Sequence, residues 1–128
     1  MFDHVKFGVS DFAASKAFFV KALAPLHVTV VAEGEPSYGI ELVQKGSNAS
    51  FILFQTREKP AYLHLAFVAA NRREVDEFHR AALAAGGKDN GAPGVRPQYS
   101  ANYYAAFVIG PDGHNIEAVC HEPAPRPK

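Results

Sequence analysis

Residues 4–23 read HVKFGVSDFAASKAFFVKAL and residues 64–83 read HLAFVAANRREVDEFHRAAL. At a spacing of sixty residues His4 falls on His64, Phe7 on Phe67, Asp11 on Asn71, Phe18 on Phe78, Ala22 on Ala82 and Leu23 on Leu83. A self-match of this length marks two copies of one structural unit, neither of which has enough chain to bury a stable core alone. Each copy opens on an alternation of period two. Val5, Phe7 and Val9 oppose His4, Lys6 and Gly8, and Leu63, Leu65 and Phe67 oppose Tyr62, His64, Ala66 and Val68. Both histidines therefore lie on the less apolar face of a half-buried strand. Ser10 with Asp11, and Asn71 in the second copy, supply the side-chain oxygens that cap a helix start. Phe12, Phe18, Phe19, Ala22 and Leu23 then recur at helical spacing until Pro25, as do Val75, Phe78, Ala82 and Leu83 until Gly86-Gly87.

Outward from these stretches, residues 26–32 (LHVTVVA), 37–43 (SYGIELV) and 50–55 (SFILFQ) carry strand composition and are separated by turn residues. The first unit thus reads β-α-β-β-β. In the second, residues 88–101 hold Gly91, Pro93, Gly94 and Pro97 and predict only a short irregular strand, a candidate lid or rim loop. Strand signals resume at 102–109 and 114–121, around the turn Gly110-Pro111-Asp112-Gly113. The sequence predicts an α+β fold: one domain over residues 1–122, made of units 1–56 and 61–122, followed by a disordered tail at 123–128.

With 128 residues, 48% of them hydrophobic, the chain is long enough for one domain of two half-units. Thirteen Lys and Arg balance thirteen Asp and Glu without a basic patch, which argues against nucleic acid or an anionic membrane and for a small-molecule ligand. Cys120 is the single cysteine and alternates with Ile116 and Ala118, so it reads as a small buried hydrophobe. With no secretory signal and no long apolar run, the expected setting is the cytoplasm.

In the closing strand Ile116, Ala118 and Cys120 oppose Asn115, Glu117, Val119 and His121. A carboxylate in mid-strand is seldom there for packing. His4, His64 and Glu117 are then three groups of metal-ligand type on the helix-free faces of repeat-related strands. Two imidazoles and a carboxylate suit one divalent first-row ion with positions left for substrate. Aligning the two last strands at an offset of 64 sets Ile52 against Ile116 and Leu53 against Glu117. Phe51, Leu53 and Gln55 become candidates for the pocket wall, with Arg96 as an anion clamp and one of the oppositely directed Tyr103 and Tyr104 as a lining side chain. His114 and His121 read as exposed residues near strand ends.

The duplicated unit, the histidine opening both first strands, YLHLAFVA at 62–69 and GPDGHNIEAV at 110–119 resemble the vicinal oxygen chelate superfamily of glyoxalases, extradiol ring-cleaving dioxygenases and bleomycin-resistance-type binding proteins. The resemblance implies an open, barrel-like curved sheet with helices outside. It places His4, His64 and Glu117 on metal-ligand positions for one divalent ion (Zn, Ni, Mn or Fe). It also gives Glu117 a catalytic role as ligand and proton shuttle in a glyoxalase-like lyase. Leu53 stands where glyoxalase I carries a fourth ligand, with Glu41 or Gln55 as substitutes, and the remaining 2-His-1-carboxylate set also resembles the extradiol enzymes. Such an enzyme needs a nearby acid/base, for which Tyr103, Tyr104 or His121 are the candidates; a metal-free binding protein needs only aromatic walls. Each unit leaves a sheet face uncovered, and the short connector at 57–60 favours closing it with a second copy, so a homodimer with a shared cleft is expected.

Overall fold

The alternation at the start of each copy is realised as a strand whose apolar face is buried. In the computed structural model, which describes residues 2–58 and 62–125, β1 (His4–Val9) buries Phe7 and Val9 and exposes His4 and Lys6. The α1 helix (Phe12–Leu23) is capped by the Asp11 side chain, which accepts from the Ala14 amide. Strands β2 (Val28–Glu33), β3 (Ile40–Gln44) and β4 (Ser50–Gln55) complete a sheet of order β1-β4-β3-β2, with β1 parallel to β4. The second unit repeats the pattern with β5 (His64–Val68), α2 (Arg72–Ala84), β6 (Lys88–Val95), β7 (Tyr104–Ile109) and β8 (Asn115–Cys120), in the order β5-β8-β7-β6. Asn71 caps α2 by accepting from the Glu74 amide, and the Glu74 carboxylate accepts in turn from Ala70. The fold is α+β, with two curved sheets that do not close into a barrel.

Two expectations are corrected. The segment expected to be irregular is an eight-residue strand, β6. Its glycines and Pro93 are accommodated by register shifts on either side of Gly91, on an edge strand where only one neighbour has to be satisfied. The loop proper is confined to residues 96–103. His114, expected at the surface, is only 1% exposed. Its Nδ1 accepts from the Leu63 amide at 3.1 Å, and the ring meets Phe7 edge-on at 5.7 Å. The connector at 57–60 and the tail at 123–128 fall in part, at 59–60 and 126–128, outside the described residues.

The helix-bearing faces of both sheets share one core, in which Phe7, Phe19 and Leu53 from the first unit meet Val75, Phe78 and Ile116 from the second. Helices α1 and α2 pack on each other, and Phe51 and Phe67 join the sheets with ring centroids 5.3 Å apart. The Asp112 carboxylate accepts from both the amide and the hydroxyl of Ser10, tying the last turn of the second unit to the helix start of the first. Because the apolar faces share this core, the faces carrying His4 and Glu117 both point away from it.

The strand register corrects the alignment of the two last strands. His4 pairs with Ser50 and His64 with Asn115, so the equivalent of Glu117 is Ile52, opposite Lys6 as Glu117 is opposite Ala66. The repeat offset there is 65, one residue longer than the 64 of the sequence alignment, and it is also the offset that sets KGSN on GPDG. In a strand one residue changes the face. Phe51, Leu53 and Gln55 accordingly lie on the helix-bearing face, and Ser50, Ile52 and Phe54 on the helix-free one.

Candidate functional site

β5 and β8 run parallel and in contact, and their register brings two of the three expected metal-ligand side chains together. His64 Nε2 lies 2.7 Å from Glu117 Oε1. The imidazole is 48% exposed and the carboxylate 2%. Burying a carboxylate is costly unless its oxygens are bonded. The second oxygen, Oε2, accepts a hydrogen bond from the Tyr103 hydroxyl. Burial pushes the Tyr103 phenol up to about 12, helped by the hydrogen bond to Glu117 and by the carboxylate's charge. Tyr103 is held edge-on by Tyr99 at 5.0 Å and His121 at 5.2 Å. On the other side, Phe107 packs against His64 at 6.1 Å, and the Arg96 guanidinium lies over Phe107 at 5.4 Å while donating to the Ala92 carbonyl. The outcome is a half-open imidazole–carboxylate pair, floored by aromatic rings with one cation at its rim.

The other expected residues fall elsewhere. His4 is on the helix-free face of the first sheet, 54% exposed, with Nδ1 2.7 Å from the Asp3 carboxylate. Glu41 shares that face beside Ile52 and accepts from the Ser50 hydroxyl at 2.7 Å. Lys6 lies over the Phe54 ring at 4.9 Å. Leu53 is fully buried in the core. Gln55 serves α1, its Oε1 accepting from the Phe12 amide and its Nε2 donating to the Ser10 carbonyl. Of the two tyrosines, Tyr104 turns to the helix side, where its hydroxyl donates to Asp76 at 2.6 Å beneath Arg72. Phe107 and Tyr99 were not singled out from the sequence. Phe107 alternates with Ala106 and Val108 in an apolar run, and only its pairing with Glu117 shows which face it takes.

His64 and Glu117 are the right donor types for a divalent metal and already adjoin. Among the described residues, no three His, Cys, Asp or Glu side chains of a single chain gather around one point. His4, the third expected donor, belongs to the other sheet's outward face. The pair therefore fits a metal on condition that a further ligand arrives from outside the chain. No helix among the described residues is long and apolar enough to cross a membrane.

Comparison with known proteins agrees with this architecture. A glyoxalase/bleomycin resistance protein from Albidiferax ferrireducens T118 is similar at 28% identity and a TM-score of 0.77, covering 99% of both chains. Two further structures show the same fold. The lactoylglutathione lyase from Agrobacterium tumefaciens has 17% identity and a TM-score of 0.69, covering 94% of this chain and 92% of that one. TnmS3, an antibiotic binding protein from Streptomyces sp. CB03234, has 19% identity and a TM-score of 0.70, covering 97% and 96%. No curated protein matches the chain. The family model of the glyoxalase/bleomycin resistance protein/dioxygenase superfamily matches residues 1–118, and the chain, with its two repeated units and paired histidines, belongs to that superfamily.

Proposed function

We propose that the protein is a homodimeric, metal-dependent enzyme of glyoxalase type that acts on a small molecule with neighbouring oxygens. The observation that carries this reading is the His64–Glu117 pair, an exposed imidazole against a buried carboxylate on an otherwise aromatic sheet face. In the proposed dimer, the helix-free face of one copy's first sheet covers that of the other copy's second sheet. His4 of one chain then joins His64 and Glu117 of the other as the metal-binding set for one divalent ion, Zn, Ni, Mn or Fe. When bound, such an ion supplies Lewis-acid polarisation of the substrate oxygens.

The remaining work falls to the side chains around this pair. Glu117 takes and returns the proton next to the polarised carbonyl. Tyr103 holds Oε2, leaving Oε1 as the oxygen directed at the open side. Phe107, Tyr99 and Tyr103 exclude water from the floor, and Arg96 supplies a positive charge for an anionic substrate group. Metal content of protein purified without chelator or affinity metal tests the first half of the reading. Incubation with 2-hydroxycarbonyl compounds in deuterated water tests the second. The loaded wild type should exchange the proton next to the carbonyl, and Glu117→Gln should slow this about a hundredfold or more. A panel showing no exchange above the Glu117→Gln background removes the lyase reading.

A ring-cleaving dioxygenase is the second reading, favoured by Tyr103, which donates to the carboxylate, and by His121, which packs on Tyr103, as acid/base candidates. Anaerobic Fe(II) loading followed by catechol and dioxygen separates the two. A site saturated with Fe(II) that leaves catechol intact rejects ring cleavage.

A further inference from the structure

Between the edges of the two units the shared core is left open at one end, mostly on the helix-bearing side, with Ser50, Ala66 and Val68 from the helix-free faces at its margin. A cleft of about 330 Å³ lies there, between the first sheet and β5. Its walls are Val28, Leu42 and Phe51 from the first unit and Leu65 and Phe67 from the second. Phe2 and Val68, at its mouth, are 65% and 63% exposed. Apolar walls with an apolar rim keep water poorly bonded, and a cavity of about 150 Å³ already accepts benzene. The space here is roughly that of a two-ring molecule.

The polar groups narrow the ligand further. No Asp, Glu, Lys, Arg or His is among the described residues lining the cleft, so a charged ligand would lose its hydration without compensation from them. Gln44 is the one long polar side chain on the wall. Its Nε2 donates to the Leu26 carbonyl at 3.0 Å and the Val68 carbonyl at 2.7 Å, which fixes the orientation of the amide. Oε1 has no hydrogen bond among the described residues and is left as an acceptor. The tilted rings of Phe51 and Phe67 favour an aromatic partner. We infer that this cleft is a second ligand site, which takes a neutral bicyclic aromatic molecule carrying a hydroxyl or N–H donor. Neither His64 nor Glu117 lines the cleft, although Ala66 between them borders it, and binding there does not depend on a metal.

2-Naphthol is a suitable probe, with naphthalene for the missing donor and 2-naphthoate for the wrong charge. In metal-free protein, 2-naphthol should bind once per chain and shift the methyl resonances of Val28, Leu42 and Leu65. Naphthalene should bind more weakly, and 2-naphthoate should leave these methyls unmoved. Ala49, also on the cleft wall, is partly exposed, and Ala49→Phe should fill the space and weaken 2-naphthol by roughly tenfold or more. Glu117→Gln should leave the affinity unchanged. Leu65→Met, which conserves volume, serves as a second variant should Ala49→Phe not fold, and should alter the affinity while leaving a folded spectrum. Shifts confined to residues around His64, loss of binding in Glu117→Gln, or a dimer whose Leu65 methyls never respond would overturn the assignment; the last would mean that a second copy covers the cleft.

Discussion

Glu117 is paired with its Ala66 neighbour in register, yet its carboxylate reaches two positions along β5 to His64, 2.7 Å away, because Tyr103 holds the opposite oxygen. The three side chains form one hydrogen-bonded row, from a half-exposed imidazole through a buried carboxylate to a phenol. A buried carboxylate fixed at both oxygens cannot swing, so whatever binds at His64 meets Oε1 in one orientation.

The phenol reports on that row. With Glu117→Gln the acceptor charge disappears, and the Tyr103 pKa should fall from about 12 while burial, the larger cause, holds it above its ordinary 10, seen by ultraviolet titration against a Tyr103→Phe control. The folded state holds this proton more tightly than the unfolded chain. Its stabilising contribution is therefore intact below pH 10 and fades as the pH rises through about 12. An unchanged titration in Glu117→Gln would show that the contact does not form in solution.

The register makes opposite predictions for two neighbouring positions. Ile52 shares the helix-free face with His4 and lies opposite Lys6, so Ile52→Glu should fold and tighten metal binding by about tenfold or more. Leu53 is fully buried on the other face, and Leu53→Glu should destabilise by about 4 kcal/mol or more through an unpaired buried carboxylate. Thermal unfolding and metal titration of the two variants check both. A folded, tighter-binding Leu53→Glu would mean that the strand is shifted by one residue.

His114 predicts how stability responds to acid. Burial lowers its pKa from 6.5, so the folded chain holds it neutral while the unfolded chain protonates normally. Its contribution is present above about pH 6.5 and is lost as the pH falls below it. The difference in melting temperature between wild type and His114→Gln should therefore shrink on going from pH 7.5 to about pH 5. A difference that stays constant or grows on acidification contradicts the assignment.

The Asp112–Ser10 clamp joins the two units at the surface. Asp112→Ala removes the acceptor for both Ser10 donors and places alanine at a φ of 62°, so a loss of about 1 kcal/mol or more in urea unfolding is expected. No loss would assign the turn's sequence to local backbone geometry alone.

The duplication, both helices and the faces carrying His4, His64 and Glu117 were legible because caps and periodicity repeat at a spacing of sixty residues. The last strand of the first unit was not. The repeat offset grows from sixty at the first strands to 65 at the last, where the equally long turns KGSN and GPDG themselves coincide, and an alignment at 64 puts every side chain of the strand on the wrong face. β6 was hidden by glycines and a proline that bulges absorb. His114 looks like a turn-end histidine in sequence; its burial arises from Phe7 and Leu63, which are far away along the chain. The choice between Tyr103 and Tyr104 needed the position of Asp76 on α2.

If His4 completes the site of a second copy, as proposed, subunit mixing will restore it. His4→Ala and Glu117→Ala chains, each deficient in metal and inactive, are dissociated, mixed and isolated as heterodimers. One site in two should then be intact, with metal content and activity recovering to about half of wild type. Verified heterodimers that regain neither would contradict it.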